Sequence, residues 1–203
     1  PRSTLSSSSA ASDVYKRQVQ YGLWFRQVFL RFDFGASYVT GQPVSRMILD
    51  RVPATLELMG AAFLVALAAA LLAGSLAALR RGGLVDQCVS LLAAAGMSVP
   101  VFWLGLMAIA LFSVKLGVLP AGGRETIGAA GAIDRLRHLA LPSLILAFSL
   151  FAAWSRYVRG AVASALEGEF LRTARAKGLA ERTILFKHAM RNALLPVISV
   201  VVM

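Results

Sequence analysis

The charged side chains with the greatest potential for chemistry are concentrated in one segment, Glu169–Pro196, with the sequence EFLRTARAKGLAERTILFKHAMRNALLP. This segment is polar and basic and lies between two apolar runs. Membrane proteins seldom keep so many charges in so short a segment without using them. Two interpretations of this segment are open: a compact, rigid projection that transmits force between subunits, or a solvated basic loop that only sets membrane topology.

The spacing within this segment predicts two short helices joined by a tight turn. Glu169 lies near the start of the first helix, and Arg175 and Lys177 lie near its end, as the helix dipole favours. Gly178 fits the left-handed residue that follows a helix, and Leu179 would cover the last turn. A second helix would run from about residue 181 to residue 192. Such a pair would form a rigid projection that can transmit force between subunits.

Catalytic motifs are missing from the sequence. It contains no GxxxxGK[ST] loop for phosphate, no HExxH and no GxSxG. His138 and His188 lie at the edges of apolar runs without the partners that tune a catalytic histidine. Cys88 is the only cysteine and cannot form an internal disulfide. We therefore expect no catalytic residue, no cofactor-binding residue and no metal ligand.

The elements that must position the basic segment are apolar. The chain has 203 residues, of which 58% are hydrophobic and 15% charged, whereas soluble domains have roughly 25% charged residues. Long uncharged runs predict membrane spans at about residues 55–79, 88–114, 139–157 and 193–203. The predicted fold is an all-α, polytopic transmembrane bundle that is truncated at both ends.

The predicted organisation has three parts. Residues 1–18 form a Ser-rich leader that is non-native or disordered, and residues 19–52 form an external segment with short helices. Residues 53–203 form the transmembrane domain, with a cytoplasmic loop at 160–191. Pro53 suits the first turn of a helix, whereas Pro100 and Pro196 fall inside predicted spans and predict helix kinks.

Charge asymmetry predicts the orientation. Residues 156–191 hold eight Lys or Arg and three acidic residues, against four and two in residues 115–138. The positive-inside rule therefore places the basic segment in the cytoplasm. The same rule explains the net charge of +11 better than nucleic-acid binding does, because the cations cluster where apolar runs end. The predicted spans contain no ionisable residue in their interiors, which argues against a proton-driven carrier.

The order of several motifs resembles one family of membrane proteins, the dipeptide/oligopeptide/nickel permeases of ATP-binding-cassette (ABC) importers. TARAKGL and RNALLP in the basic segment resemble the loop with which these permeases contact their ATPases. The upstream matches follow in the same order: TGQPV (Thr40–Val44), RVPATLEL (Arg51–Leu58), LAALRRG (Leu76–Gly82), SVPVFWLGL (Ser98–Leu106) and LGVLPAGG (Leu116–Gly123). Together they cover the chain from about residue 21 to its end.

The loop departs from the general importer pattern, which has Glu-Ala-Ala, three residues, then Gly. Arg172, Thr173 and Ala174 occupy the first three positions, and Arg-Thr-Ala is typical of the peptide/nickel branch. The resemblance implies that Ala174 packs into a cleft of the ATPase and that Gly178 holds the turn. It also implies that arginines of the loop meet acidic or polar groups of the ATPase. The implied coupling residues are Glu169, Arg172, Thr173, Ala174, Arg175, Gly178 and Leu179.

The resemblance further implies a bacterial- or archaeal-type inner membrane protein that forms half of a translocation pathway. Its partners would be a second permease subunit, two ATPase subunits, an extracytoplasmic solute-binding protein and the lipid bilayer. Di- or oligopeptides, or a small solute such as a nickel complex, would be the cargo. Two alternatives from other classes stay open: an ATP-independent channel or secondary carrier, and a membrane-embedded enzyme.

Overall fold

The protein is all-α in the part that a computed structural model describes, which is residues 16–128 and 131–168 together with Gly178, Thr183 and Ile198. α1 comprises residues 16–25 and continues as the π-helical segment Arg26–Leu30. The remaining helices are α2 (Val44–Leu79), α3 (Leu84–Ser98), α4 (Val101–Ala108) with a π-helical extension Ile109–Lys115, and α5 (Ala132–Leu166). The β-pairing within these residues is an isolated bridge between Ala36 and Pro43. The predicted fold class is confirmed.

Two compact units divide the chain, with the boundary between Thr55 and Leu56. In the first unit, aromatic rings of α1 and its extension contact one another, with centroid distances from 4.5 to 6.5 Å. A turn follows in which Asp33 accepts hydrogen bonds of 2.9 Å from the Gly35 amide and from the Gln27 side chain. These two hydrogen bonds, the first above all, hold the pKa of Asp33 below its ordinary value.

The second unit is built on a stripe of small residues along α2. Every fourth position is buried, and the resulting row consists of Ala62, Ala66, Ala70, Gly74 and Ala78. Small side chains let two helix backbones approach closely, which is the packing that lipid-embedded helices favour. α5 packs against this stripe through Ala147, Val158 and Val162.

The helices extend beyond the predicted spans. α2 begins at Val44 rather than near residue 55, so Pro53 lies in the helix interior and not in its first turn. α5 begins at Ala132 and ends at Leu166, seven and nine residues beyond the predicted span of 139–157. Charged residues end the apolar stretch but not the helix, because the backbone hydrogen bonds continue wherever the side chains can reach water.

Pro100 breaks the second apolar run instead of kinking it. Val99 and Pro100 are both extended, with ψ angles of 124° and 131°, and the helices on either side meet at 103°. The ring of a proline disfavours the helical conformation of the preceding residue, which explains why α3 ends at Ser98. The residues of the predicted span 88–114 therefore form two helices that meet at a sharp bend at Pro100.

Two of the described helices, α2 and α5, are long and apolar enough to cross a membrane. The bent pair of α3 and α4 with its extension would make a third crossing if it counts as one span. Residues 16–18, predicted to belong to the leader, are part of α1. The rest of the leader, Pro196 and the span predicted for 193–203, except Ile198, lie outside the described residues.

Candidate functional site

The predicted coupling residues fall almost entirely outside the described residues. The six that lie outside are Glu169, Arg172, Thr173, Ala174, Arg175 and Leu179. Gly178 is described and lies in a turn with φ +72°, which is the left-handed conformation that the sequence predicts. A side chain is strained at this φ, so the position favours glycine.

The root of the predicted loop is helical. The loop was expected to begin at residue 160, but α5 continues through residues 160–166. The amide of Glu167 then donates to the carbonyl of Ala163 at 3.3 Å, and the amide of Gly168 donates to that of Ala165 at 3.2 Å. These bonds close the last turn of the helix. The segment that follows Gly168 is therefore connected directly to the end of a regular helix.

Arg159 joins α5 to the neighbouring helix α3. Its Nε and Nη2 lie 2.5 and 2.8 Å from Oδ1 and Oδ2 of Asp86, a bidentate ion pair. Asp86 is only 5% exposed, whereas the Arg159 side chain is one-third exposed. Two parallel hydrogen bonds between planar groups fix both distance and orientation.

Asp86 also stabilises the turn between α2 and α3. The amide of Gly82 donates to Oδ2 of Asp86 at 2.9 Å. Gly82 has φ +77°, so the turn requires a residue without a Cβ at this point. One carboxylate thus connects the α2–α3 turn, the start of α3 and the last third of α5.

A second ion pair lies beside the first but differs in exposure. Nη1 of Arg81 lies 2.6 Å from Oε1 of Glu167, one residue after α5 ends. The two side chains are 62% and 70% exposed, so water and salt screen the pair. We use "loop-root cluster" for the four residues Arg81, Asp86, Arg159 and Glu167.

Close packing of α2 and α3 against α5 lies next to the loop-root cluster. A Cβ placed on Gly74 of α2 would lie 2.8 Å from the Ser155 carbonyl oxygen and 2.8 Å from the Val158 Cβ. A Cβ on Gly96 of α3 would lie 2.7 Å from the Cβ of Ala152. Glycine at these two positions lets α2 approach the backbone of α5 at Ser155 and lets α3 approach the side chain of Ala152.

Ionic contacts also join elements at the opposite end of α5. Glu57 of α2 receives a 2.7 Å hydrogen bond from Arg124 and lies 3.6 Å from Arg135. Asp134 accepts bonds of 2.6 and 2.8 Å from the amide and hydroxyl of Thr126. The segment between α4 and α5 is thereby tied to the first turns of α5 and to α2.

None of these contacts has the form of a catalytic site. The carboxylates of Asp86 and Glu57 are engaged by arginines, and arginine does not release its proton in proteins. Within the described ranges 16–128 and 131–168 there is no group of three or more His, Cys, Asp or Glu that could hold a metal ion. The described ion pairs have a structural role: they hold helices and turns together.

Residues 70–203 match the family described as binding-protein-dependent transport system inner membrane component. The match contains α3, α4, α5 and the whole basic segment. The chain belongs to this permease family.

Relatives of this permease carry names from peptide transport. It is 42% identical to the oligopeptide transport system permease protein AppB of Bacillus subtilis (strain 168), over 90% of this chain and 58% of the relative. It is 41% identical to the di/tripeptide transport system permease protein DppB of Pseudomonas aeruginosa (strain UCBPP-PA14), over 83% of this chain and 56% of the relative. A putative peptide transport system permease protein of Brucella suis biovar 1 (strain 1330) is 38% identical, over 90% and 57%.

This chain thus spans somewhat more than half the length of the curated relatives that it matches. The family and the apolar helices make it a membrane protein. The predicted permease family is confirmed by the family match. The relatives named above are peptide-transport permeases, and the name of none of these three mentions nickel.

Sequence reasoning missed the loop-root cluster of this permease. Asp86 is a single acid at the margin of a long apolar run, and Arg159 falls in a basic segment, so neither stands out in the sequence. The usable signal was an acid placed four residues after Gly82 at the start of a helix, where a carboxylate caps the turn. The partner of Asp86 is 73 residues away in sequence, and no local pattern shows it.

Proposed function

We propose that this chain is part of the membrane-spanning permease subunit of an ATP-driven importer for di- or oligopeptides. The observation that carries the proposal is the position of the loop-root cluster, because it ties the end of helix α5 to the α2–α3 turn directly before the basic segment. The family match and the names of the relatives support the class of transporter and its peptide cargo.

In this proposal the basic segment faces the cytoplasm of a bacterial or archaeal cell and receives force from two ATPase subunits. Residues 169–179 would dock into these subunits, with Gly178 holding the turn between two short helices. A rigid rod passes on a displacement at its end, whereas a flexible tether would absorb it. The motion of α5 would then switch the bundle between outward and inward access.

The chain itself would form a pathway and catalyse no reaction. Its sequence lacks the glycine-rich phosphate loop of an ATPase, so ATP hydrolysis belongs to the partner subunits. A second permease subunit would complete the pathway, and an extracytoplasmic solute-binding protein would deliver the peptide.

The test is uptake of a labelled dipeptide or oligopeptide by proteoliposomes that contain the full-length permease with its partner subunits. We expect uptake that requires both the binding protein and ATP. Uptake that persists without ATP would favour a secondary carrier or channel, and chemical conversion of the peptide by the permease alone would favour an enzyme.

Gly178→Asp tests the coupling role separately. At φ +72° an aspartate strains the turn, so we expect normal insertion, loss of ATP-driven uptake and weaker recovery of the ATPase in pull-downs. Gly128→Asp is the matched control, since Gly128 has φ +86° with open space around it and precedes α5 in the sequence, whereas the loop follows α5. Full uptake with Gly178→Asp would contradict the coupling role.

A further inference from the structure

The loop-root cluster contains an unequal pair of contacts. The exposed Arg81–Glu167 pair and the largely buried Asp86–Arg159 pair both join α5 to the chain around the α2–α3 turn. Arg159 precedes the last residue of α5 by two helical turns, and Glu167 follows it directly. The two pairs therefore lie at either end of the last two turns of α5, which directly precede the basic segment.

Geometry distinguishes the Asp86–Arg159 pair from an ordinary surface contact. A bidentate guanidinium–carboxylate contact resists sliding and rotation of α5 against α3, because either movement breaks one of its two bonds. The hydrogen bond from the Gly82 amide extends this constraint to the turn. Breaking a buried ion pair leaves an uncompensated charge, so Asp86 and Arg159 strongly favour staying paired.

Packing adds a constraint in the same direction. Gly74 of α2 touches the backbone of Ser155, one turn before Arg159, and leaves no space for α5 to move toward α2. A buried cluster of Ala70 and Ala78 from α2 with Val158 and Val162 from α5 extends the contact between the two helices on both sides of Arg159 along α5. Steric contact prevents approach, and the ion pair prevents separation.

We propose that Asp86 and Arg159 are positioning residues that make the α2–α3 turn and the end of α5 move as one body. Force that enters through the basic segment then reaches α2 and α3 as well as α5. This inference rests on the proposed function, because it assumes that the segment after Gly168 receives force from an ATPase.

The experiment measures transport and ATP hydrolysis together in proteoliposomes containing the full-length permease, its ATPase and second permease subunits and the binding protein, with a labelled dipeptide as probe. The variants are Asp86→Asn, Arg159→Gln and Arg159→Lys. Arg80→Gln is the matched control, since it removes an exposed cation from the same turn that does not belong to the loop-root cluster. The readout is peptide imported per ATP hydrolysed, normalised to the amount of permease in the membrane.

We expect Asp86→Asn and Arg159→Gln to lower this ratio at least roughly tenfold while ATP hydrolysis continues, since the link fails but the ATPases remain. Arg159→Lys should give an intermediate ratio, because an ammonium keeps the charge but loses the bidentate geometry. Arg80→Gln should change the ratio by less than about twofold, because substitutions of exposed side chains outside such contacts have small effects.

Three results would overturn the inference. The first is an unchanged ratio in Asp86→Asn at normal membrane level. The second is failure of the uncharged variants to insert while Arg159→Lys shows the wild-type ratio, which would assign the pair to folding alone. The third is absence of all three variants from the membrane, which has the same meaning. Failure of the wild type to import peptide with ATP would instead contradict the proposed function.

Discussion

Gly74 of α2 packs directly against the backbone of Ser155 in α5, and a Cβ at Gly74 would lie 2.8 Å from the Ser155 carbonyl oxygen. Real Cβ atoms do not approach a backbone oxygen so closely. One of the two helices would therefore have to shift to admit any side chain at this position.

Gly74→Ala should destabilise the bundle by about 1–3 kcal/mol, the usual range for overpacking a close contact. Gly60→Ala is the matched control in the same helix, since nothing lies within 4 Å of a Cβ there. It should be neutral or slightly stabilising, because alanine is the better helix former. Unfolding of both variants in mixed micelles, followed by circular dichroism, measures the difference. Equal stabilities would show that α2 and α5 are not in backbone contact.

Pro100→Ala should relax the 103° bend between α3 and α4 toward a straighter helix, because residue 99 is then free to adopt helical angles. Spin labels at Ser90 and Leu111 should report longer distances in double electron–electron resonance measurements. Pro142→Ala with the same labels is the control, since Pro142 lies inside the unbroken helix α5. An unchanged distance in Pro100→Ala would mean that the packing of α4 alone holds the bend.

Glu57→Gln should loosen the segment that carries Arg124, because it removes the charge of the carboxylate that Arg124 contacts at 2.7 Å. The pair is partly exposed, so we expect cleavage by trypsin after Arg124 to rise only a few-fold. Glu125→Gln is the control: it makes the same charge change beside Arg124. If both variants are cleaved alike, local charge and not the contact with Glu57 protects this site.

The turn at Asp33 should open in acid. The pKa of Asp33 is lowered by the bonds from Gly35 and Gln27, so its stabilising effect is complete above the unfolded pKa of about 3.9. That effect is lost as the pH falls through the still lower folded value. We expect the amide resonance of Gly35 to be constant at pH 5–7, to shift below about pH 4, and to lose this pH dependence in Asp33→Asn. The same titration in Asp50→Asn is the control and should match the wild type.

Most of the fold class follows from the sequence, as α2 and α5 illustrate. The runs around residues 58–79 and 139–155 are uncharged. In lipid, the backbone N–H and C=O groups of such a run can form all their hydrogen bonds within the same segment only if the run is helical. Gly178 is another example, since its left-handed conformation depends on the absence of a Cβ and on the neighbouring residues. The lengths of the helices did not follow, because a charged residue ends an apolar stretch without ending the helix.

The sequence by itself determined the membrane helices, the glycine turn and the family, because these depend on local composition and on the order of motifs. Only the tertiary structure decided that Pro100 separates two helices and that Asp86 pairs with Arg159 across 73 residues. It also decided that Gly74 is required while Gly60 is free, although both are glycines of one helix. Such distinctions depend on which surface each residue meets after the chain has packed, and hydropathy carries no information about that neighbour.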